Sequence, residues 1–388
     1  MKFADRTNRL GTEGAFEVLA KARALEAQGK HIIHLQIGEP DFDTPMYIKV
    51  AAKKALDDGF THYLPAPGLR DAQQAVADYI SNTRGISVEW DEVVITPGAK
   101  PIINFLLYAT INEGDEVIYP NPAYPIYESL ITFVGGKAVP YALTEDKDFR
   151  FDINEVKSLI NTKTKMIIIN SPQNPTGGVL TDSDLKGLAD LAITNDLLIL
   201  SDEIYSRILY DGYRHQSIAS LPGMKDRTII LDGFSKTYAM TGWRLGYGVM
   251  QKDLAKMVAK LQLNCTSHAT AFIQVAGAAG LRGPQTDVDS MVTEFKKRRD
   301  IIVNGLNSIR GFKCHKPLGA FYVFPNIEGT GKSARELATL LLENAGVACL
   351  SGTAFGKYGE GYLRFSYANS IPNIEEALNR IDKLVRSI

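Results

Sequence analysis

Cysteine is scarce in this chain: Cys265, Cys314 and Cys349 are the only three among 388 residues. They are scattered, odd in number and form no C-x-x-C pair, which argues against a disulfide-stapled secreted fold and for a reduced, cytoplasmic setting. Each reads as a small buried apolar residue, and no metal site is expected. Long apolar runs are missing too. No stretch approaches the ~18 consecutive apolar residues of a membrane span, and Met1–Leu10 is charged, without the apolar core of a signal peptide. Charge of one sign is nowhere concentrated: 43 Lys and Arg against 44 Asp and Glu leave a formal net charge of −1. Binding to nucleic acid or to a membrane surface therefore has no electrostatic footprint. Low-complexity tracts, linkers and internal repeats are absent as well. At this length the chain can build two domains whose cores need neither disulfides nor metals.

What is present is an alternation. Seven short apolar runs, at Glu92–Thr96, Glu116–Tyr119, Ala138–Tyr141, Met166–Asn170, Leu197–Ser201, Thr228–Leu231 and Leu245–Met250, read as strands, with helical patterns between several of them. Asp152 followed by Glu155 gives an N-cap and its capping-box partner; Thr181 followed by Asp184 gives a weaker version. This pattern predicts an α/β fold: a large domain, 45–286, with a mostly parallel seven-stranded sheet flanked by helices. From about Asp287 the texture changes. A charged amphipathic helix over Val288–Ile309 precedes an apolar run at Gly319–Pro325, a helix capped by Ser333 and Glu336, a strand at Leu363–Tyr367 and a last helix from about Asn373. These elements are expected to form a smaller α+β domain, 287–388 together with 1–44, the latter carrying a helix over Ala15–Ala27 and extended chain at His31–Ile37.

Open α/β sheets bind ligands at the carboxyl ends of their strands, and the unusual polar residues of this sequence stand there. Asn170 to Gly177 follows one strand, Ser201-Asp202-Glu203-Ile204-Tyr205 another, and Pro97-Gly98-Ala99-Lys100 a third, where it opens a helical pattern. Lys236 follows Thr228–Leu231 behind a glycine-containing turn, and Arg244 comes eight residues later. A lysine so placed suits an amine that condenses with an aldehyde cofactor, and the arginine suits that cofactor's phosphate. Gly98, Ala99 and Lys100 offer a phosphate small residues at a helix start and a cation; Ser235 and Arg244 add a hydroxyl and a fork of donors.

Six blocks carry a family resemblance: NSPQNPTGG, SDEIY, FSKTYAMTGWRLGYG and YLRFSYANS, with IGEPDFDTP and HYLPAPGLRDAQ. Spread over residues 38 to 370 in the expected order, they resemble the signature blocks of class I aminotransferases. Those are pyridoxal 5′-phosphate enzymes of fold type I, and the last two blocks are similar to the bacterial aspartate-aminotransferase-like subgroup. The resemblance implies that Lys236 joins the cofactor as an imine and carries a proton at the reacting carbon. It implies that Asp202 faces the pyridine nitrogen, that Tyr205 and Asn174 donate to the phenolic oxygen, and that Tyr124 stacks on the ring. Arg364 matches the arginine that grips the substrate's α-carboxylate, with Gly38 giving backbone access and Asn174 nearby. Tyr63 matches a residue that reaches the phosphate of a neighbouring subunit, which implies a homodimer with shared active sites, residues around Asn264 to Thr270 also crossing. The family often has Ser or Asn three residues before the lysine; Gly233 stands there, so only backbone can contribute from that position.

The implied activity moves an amino group from an L-amino acid to a 2-oxo acid, 2-oxoglutarate foremost, in a ping-pong cycle. The donor is left open among aspartate, aromatic and neutral amino acids. Glu13 and Phe16 fall where the family has a substrate wall; Glu13 reads as a solvated helix residue, and no cation for a distal carboxylate is assigned. A carbon–sulfur β-lyase or a decarboxylase would share the same core residues. A DNA-binding regulator built on such a domain has neither a basic patch nor a helix-turn-helix here to support it.

Overall fold

A computed structural model describes residues 1–388. Its main sheet has seven strands: β1 (Val93–Thr96), β2 (Glu116–Asn121), β3 (Lys137–Ala142), β4 (Thr164–Asn170), β5 (Leu198–Asp202), β6 (Thr228–Gly233) and β7 (Gly246–Val249). Their order across the sheet is β1-β7-β6-β5-β4-β2-β3. The pairings β2–β3, β2–β4, β4–β5 and β5–β6 are parallel. Only β7 runs against its neighbours β1 and β6.

Alternate side chains of the central strands serve opposite faces, as the two-residue period of a strand requires. Ile168 of β4 and Leu200 of β5 pack with Ile102 and Leu106 of the helix Lys100–Thr110. Ile167, Ile169 and Ile199 pack on the other side with Leu185 and Leu188 of the helix Asp182–Thr194. Both faces are thus covered, which is why these strands read as unbroken apolar runs rather than alternating ones.

The two helix starts differ from expectation. Thr181 and Asp184 form the full reciprocal capping box. Asp152 caps its helix through the amide of Asn154, but Glu155 turns away and accepts from the amide of Ala142 at 3.1 Å. β3 is an edge strand, and its free amide competes successfully for that carboxylate.

The C-terminal elements form a three-stranded antiparallel sheet, Leu350–Ser351, Leu363–Ser366 and Tyr322–Val323. Around it lie the helices Thr286–Ser308, Ala334–Ala345 and Ile371–Val385. Extended chain was expected over His31–Ile37, yet only Ile33–His34 makes a ladder, pairing in parallel with Val347–Ala348. Ile33 and Leu35 share one apolar core with Phe295, Phe321, Leu337 and Phe365. No helix is long and apolar enough to cross a membrane.

Candidate active site

The carboxyl ends of β4, β5 and β6 open into a cavity of about 570 Å³. Asn174, Asp202, Tyr205, Ser235 and Lys236 line it from the main sheet, Ala99, Lys100 and Tyr124 from neighbouring turns and helix starts. Gly38, Arg244 and Arg364 close the set, Arg364 arriving on the C-terminal sheet. Residues from seven separated stretches of sequence therefore share one space. Two expected members stand apart. Gly98 lies behind Arg244 rather than on the wall, and Tyr63 is 91% exposed, its ring edge-on to His268 with centroids 5.8 Å apart.

Lys236 sits in the four-residue helix Phe234–Thr237 directly after β6. Its Nζ donates to the main-chain oxygen of Gly38 at 2.5 Å. Burial lowers its pKa to about 8; Glu39 opposes the shift, and Arg364 and Arg244 add to it. An amine with such a value has a far larger neutral, nucleophilic fraction near physiological pH than an ordinary lysine. Gly233, at the end of β6, packs against Gly246: a Cβ there would meet the Gly246 Cα at 3.0 Å. That close approach leaves no room for a side chain from this position.

Asp202 ends β5 and is buried. Burial raises its pKa to about 6, while a hydrogen bond from Tyr127 and the backbone amide of Ile204 pull the other way. Tyr127 donates to Asp202 Oδ2 at 2.5 Å. Asn170, opposite Asp202 in the β4–β5 register, donates to the Asp202 carbonyl at 3.0 Å and accepts from the amide of Asn174 at 2.9 Å. One asparagine thus fixes both the strand exit and the turn that carries Asn174.

At the opposite end, Gly98 has φ of 84°, and a Cβ there would overlap the Arg244 guanidinium. Glycine lets Arg244 lie against the start of the helix Lys100–Thr110. With Ser235 and the backbone amides of that helix start, this end offers several donors to a dianion. Lys100 does not add its charge there, because its ammonium pairs with Glu13.

Arg364 is buried and donates through Nη1 to Asn174 Oδ1 at 3.1 Å and through Nη2 to the Gln36 carbonyl at 2.5 Å. Its guanidinium carbon lies 4.5 Å from the Tyr322 ring centroid and 4.9 Å from that of Phe355. Its buried Nε has no partner in the chain. A guanidinium packed near two rings, with its buried Nε unpartnered, has donors to spare for an incoming carboxylate.

Two participants escaped sequence reading, and a third, singled out there, was expected to face solvent. Tyr127 lies three residues after Tyr124, one helical turn on, and that spacing was the available signal. Tyr322 was hidden in the run Gly319–Pro325, which reads as core; its hydroxyl is 2.8 Å from that of Tyr205. Glu13, expected in solvent, instead reaches into the cavity at the start of the helix Gly14–Glu26, pairing with Lys100 and accepting from Tyr124 Oη at 3.3 Å. An unpaired cation in a partly dehydrated cleft outcompetes solvent for that carboxylate.

Residues 30–381 match the family described as aminotransferase class I and II. The chain belongs to that family. Among the relatives of this aminotransferase, an aspartate aminotransferase of Pyrococcus abyssi is 43% identical over 360 residues, covering 92% of each chain. An aromatic-amino-acid aminotransferase of Thermococcus litoralis is 40% identical over 389 residues, covering 100% of this chain and 99% of its own. The solved structure of an aspartate aminotransferase from Rhizobium meliloti superposes with a TM-score of 0.96 at 35% identity, covering 100% of this chain and 99% of that one. The fold is accordingly that of type I pyridoxal-phosphate enzymes.

Aminotransferases of this family depend on pyridoxal 5′-phosphate and act on amino acids and 2-oxo acids. The cavity of this aminotransferase fits that cofactor. It holds a lysine with a lowered pKa for an aldehyde, a buried carboxylate for a ring nitrogen and a donor-rich end for a phosphate. Arg364 brings a guanidinium to the same cavity.

Proposed function

We propose that this aminotransferase transfers the amino group of an L-amino acid to a 2-oxo acid, foremost 2-oxoglutarate, in two half-reactions at one site. Bound pyridoxal phosphate supplies the electron sink that makes the substrate's α-C–H bond breakable. Lys236 would hold it covalently, and its Nζ, free once substrate takes its place, would accept the proton that leaves the donor's α-carbon. In the return half-reaction the same Nζ gives a proton to the α-carbon of the former 2-oxo acid. Asp202, ionised once a cation faces it, keeps the ring nitrogen protonated. Tyr205 and Asn174 donate to the phenolic oxygen, Tyr124 covers the ring face, and Arg244 with Ser235, Ala99 and the neighbouring backbone holds the phosphate. Arg364 orients every substrate by its α-carboxylate, beside the backbone of Gly38. The observation that carries this reading is the meeting of Lys236, Asp202, Arg244 and Arg364 in one cavity.

The donor side chain is read by the Glu13–Lys100 pair. Four cations line the cavity: Lys100, Lys236, Arg244 and Arg364. With the other three assigned, Lys100 is the one left for a distal carboxylate, and it replaces the phosphate role expected of it. Glu13 already occupies it, so an acidic side chain must displace Glu13. A neutral or aromatic one leaves the pair intact and packs on Phe16, Ile37 and Tyr124. This supports a donor range that includes both acidic and aromatic amino acids.

The exposed Tyr63, with the surface around Asn264 to Thr270, fits a homodimer in which Tyr63 completes the phosphate site of the partner subunit. Segments 1–44 and 287–388 act as the small domain that closes over substrate bound to 45–286 and expels water.

A half-reaction screen tests the proposal. The yellow holoenzyme is incubated with single amino acids, and loss of its absorbance is followed without acceptor. Conversion by aspartate, glutamate and at least one aromatic amino acid, reversed by 2-oxoglutarate, is expected. Release of pyruvate or carbon dioxide with no amine transfer would refute it.

A further inference from the structure

We propose that Tyr322 is a positioning residue that orients the hydroxyl of Tyr205 and joins it mechanically to Arg364. The inference rests on the reading of Tyr205 as donor to the cofactor's phenolic oxygen.

Tyr205 comes from the turn after β5, whereas Tyr322 lies in the C-terminal sheet, with Ser366 as its register partner two residues from Arg364. Their hydroxyls are 2.8 Å apart, both side chains are buried, and the rings meet edge to face with centroids 5.8 Å apart. A phenol has a single hydrogen to donate. If Tyr205 spent it on Tyr322, its oxygen would face the cavity only as an acceptor, and it could not serve a phenolate.

The Arg364 guanidinium carbon lies 4.5 Å from the Tyr322 ring centroid, and a cation over that ring strengthens its hydroxyl as a donor. Tyr322 therefore gives its hydrogen to Tyr205, which leaves that of Tyr205 free to point into the cavity. The Tyr322 hydroxyl is also wedged against Gly38, where a Cβ would overlap it. Tyr322 therefore touches the residue whose carbonyl holds Lys236, the residue that grips the substrate carboxylate and the residue that donates to the cofactor.

The test titrates the absorbance of the holoenzyme against pH in four proteins: unaltered, Tyr322→Phe, Tyr205→Phe and the double variant. A donor to the phenolic oxygen stabilises its anion and lowers the pKa of the chromophore. Tyr322→Phe is expected to raise that pKa by about 0.5 to 1 unit, and to add nothing when Tyr205 is already phenylalanine. An unchanged pKa in Tyr322→Phe, with a raised one in Tyr205→Phe, would overturn the inference and leave the reading of Tyr205 standing. Additive shifts would also overturn it, because Tyr322 would then act by another route. If Tyr205→Phe itself has no effect, the reading of Tyr205 fails and takes the inference with it.

Discussion

Lys236 Nζ donates to the main-chain oxygen of Gly38 at 2.5 Å across 198 residues of sequence. The contact ties the exit of β6 to the N-terminal segment that wraps the C-terminal sheet. It also keeps the amine pointing into the cavity, in reach of the place where Arg364 would hold a substrate carboxylate. Carbonyl and amine are partly buried here, which strengthens their hydrogen bond and makes the amine less basic.

Replacing the amine should end catalysis. Lys236→Ala is expected to lose at least ~10²–10⁴-fold in turnover, the share assigned to a positioned acid–base group. Borohydride should fix the cofactor to residue 236 in the unaltered enzyme and to nothing in the variant. A peptide map after reduction reads this directly, and an adduct elsewhere would displace Lys236 from its role.

The lowered pKa of Lys236 has a kinetic consequence. Only the neutral amine attacks an aldehyde, and the neutral form prevails above the pKa. Cofactor capture by the apoprotein should therefore accelerate as pH rises through about 8 and level off beyond it. Stopped-flow absorbance across pH 6 to 10, in roughly half-unit steps, gives the midpoint. A profile still climbing toward the ordinary lysine value would show that the amine is not buried as described.

Arg364 should matter equally to all donors. Arg364→Ala is expected to raise KM for aspartate, glutamate and phenylalanine by similar factors, because the α-carboxylate is common to them. The lost charge-assisted bidentate contact corresponds to about 1.5–3 kcal/mol, or roughly 10- to 150-fold. Loss confined to dicarboxylic donors would place Arg364 at the side chain instead.

Glu13→Gln frees Lys100 from its carboxylate. The ratio of kcat/KM for aspartate over phenylalanine should rise by about five- to tenfold, equivalent to ~1–1.4 kcal/mol. Lys100→Met should move the ratio the opposite way. An unchanged ratio in both variants would remove the pair from donor selection.

Behind the site, Arg84 makes contacts of 2.7 Å to Glu203 and 2.8 Å to Asp232, all three side chains being at most 3% exposed. His215 lies 2.8 Å from the same Glu203 oxygen, and Ser217 donates to its other oxygen at 2.5 Å. Arg84→Ala would leave two buried carboxylates without their guanidinium and should cost about 3–5 kcal/mol. Denaturant unfolding of the apoprotein measures it; a loss below about 1 kcal/mol would mean that water or His215 replaces the arginine.

Much of this was written locally. The central strands were legible because strands covered on both faces need unbroken apolar runs, and the residues at their exits announced themselves by standing directly after such runs. Lys236, Asp202 and Asn174 belong to that class. The sequence pattern misjudged the Asp152–Glu155 cap because the rival partner, the amide of Ala142, belongs to a separate strand. Glu13 was misplaced for the same reason, since nothing near it in sequence reveals Lys100.

The sequence by itself determined the strand–helix alternation and the reactive residues at its seams, since periodicity and residue type act over a few neighbours. Tertiary structure alone decided that β7 would insert, reversed, between β1 and β6, that Tyr127 would reach Asp202 and that Tyr322 would reach Tyr205. Those partners are 75 and 117 residues apart, and only packing of whole elements against one another brings such distances down to a hydrogen bond.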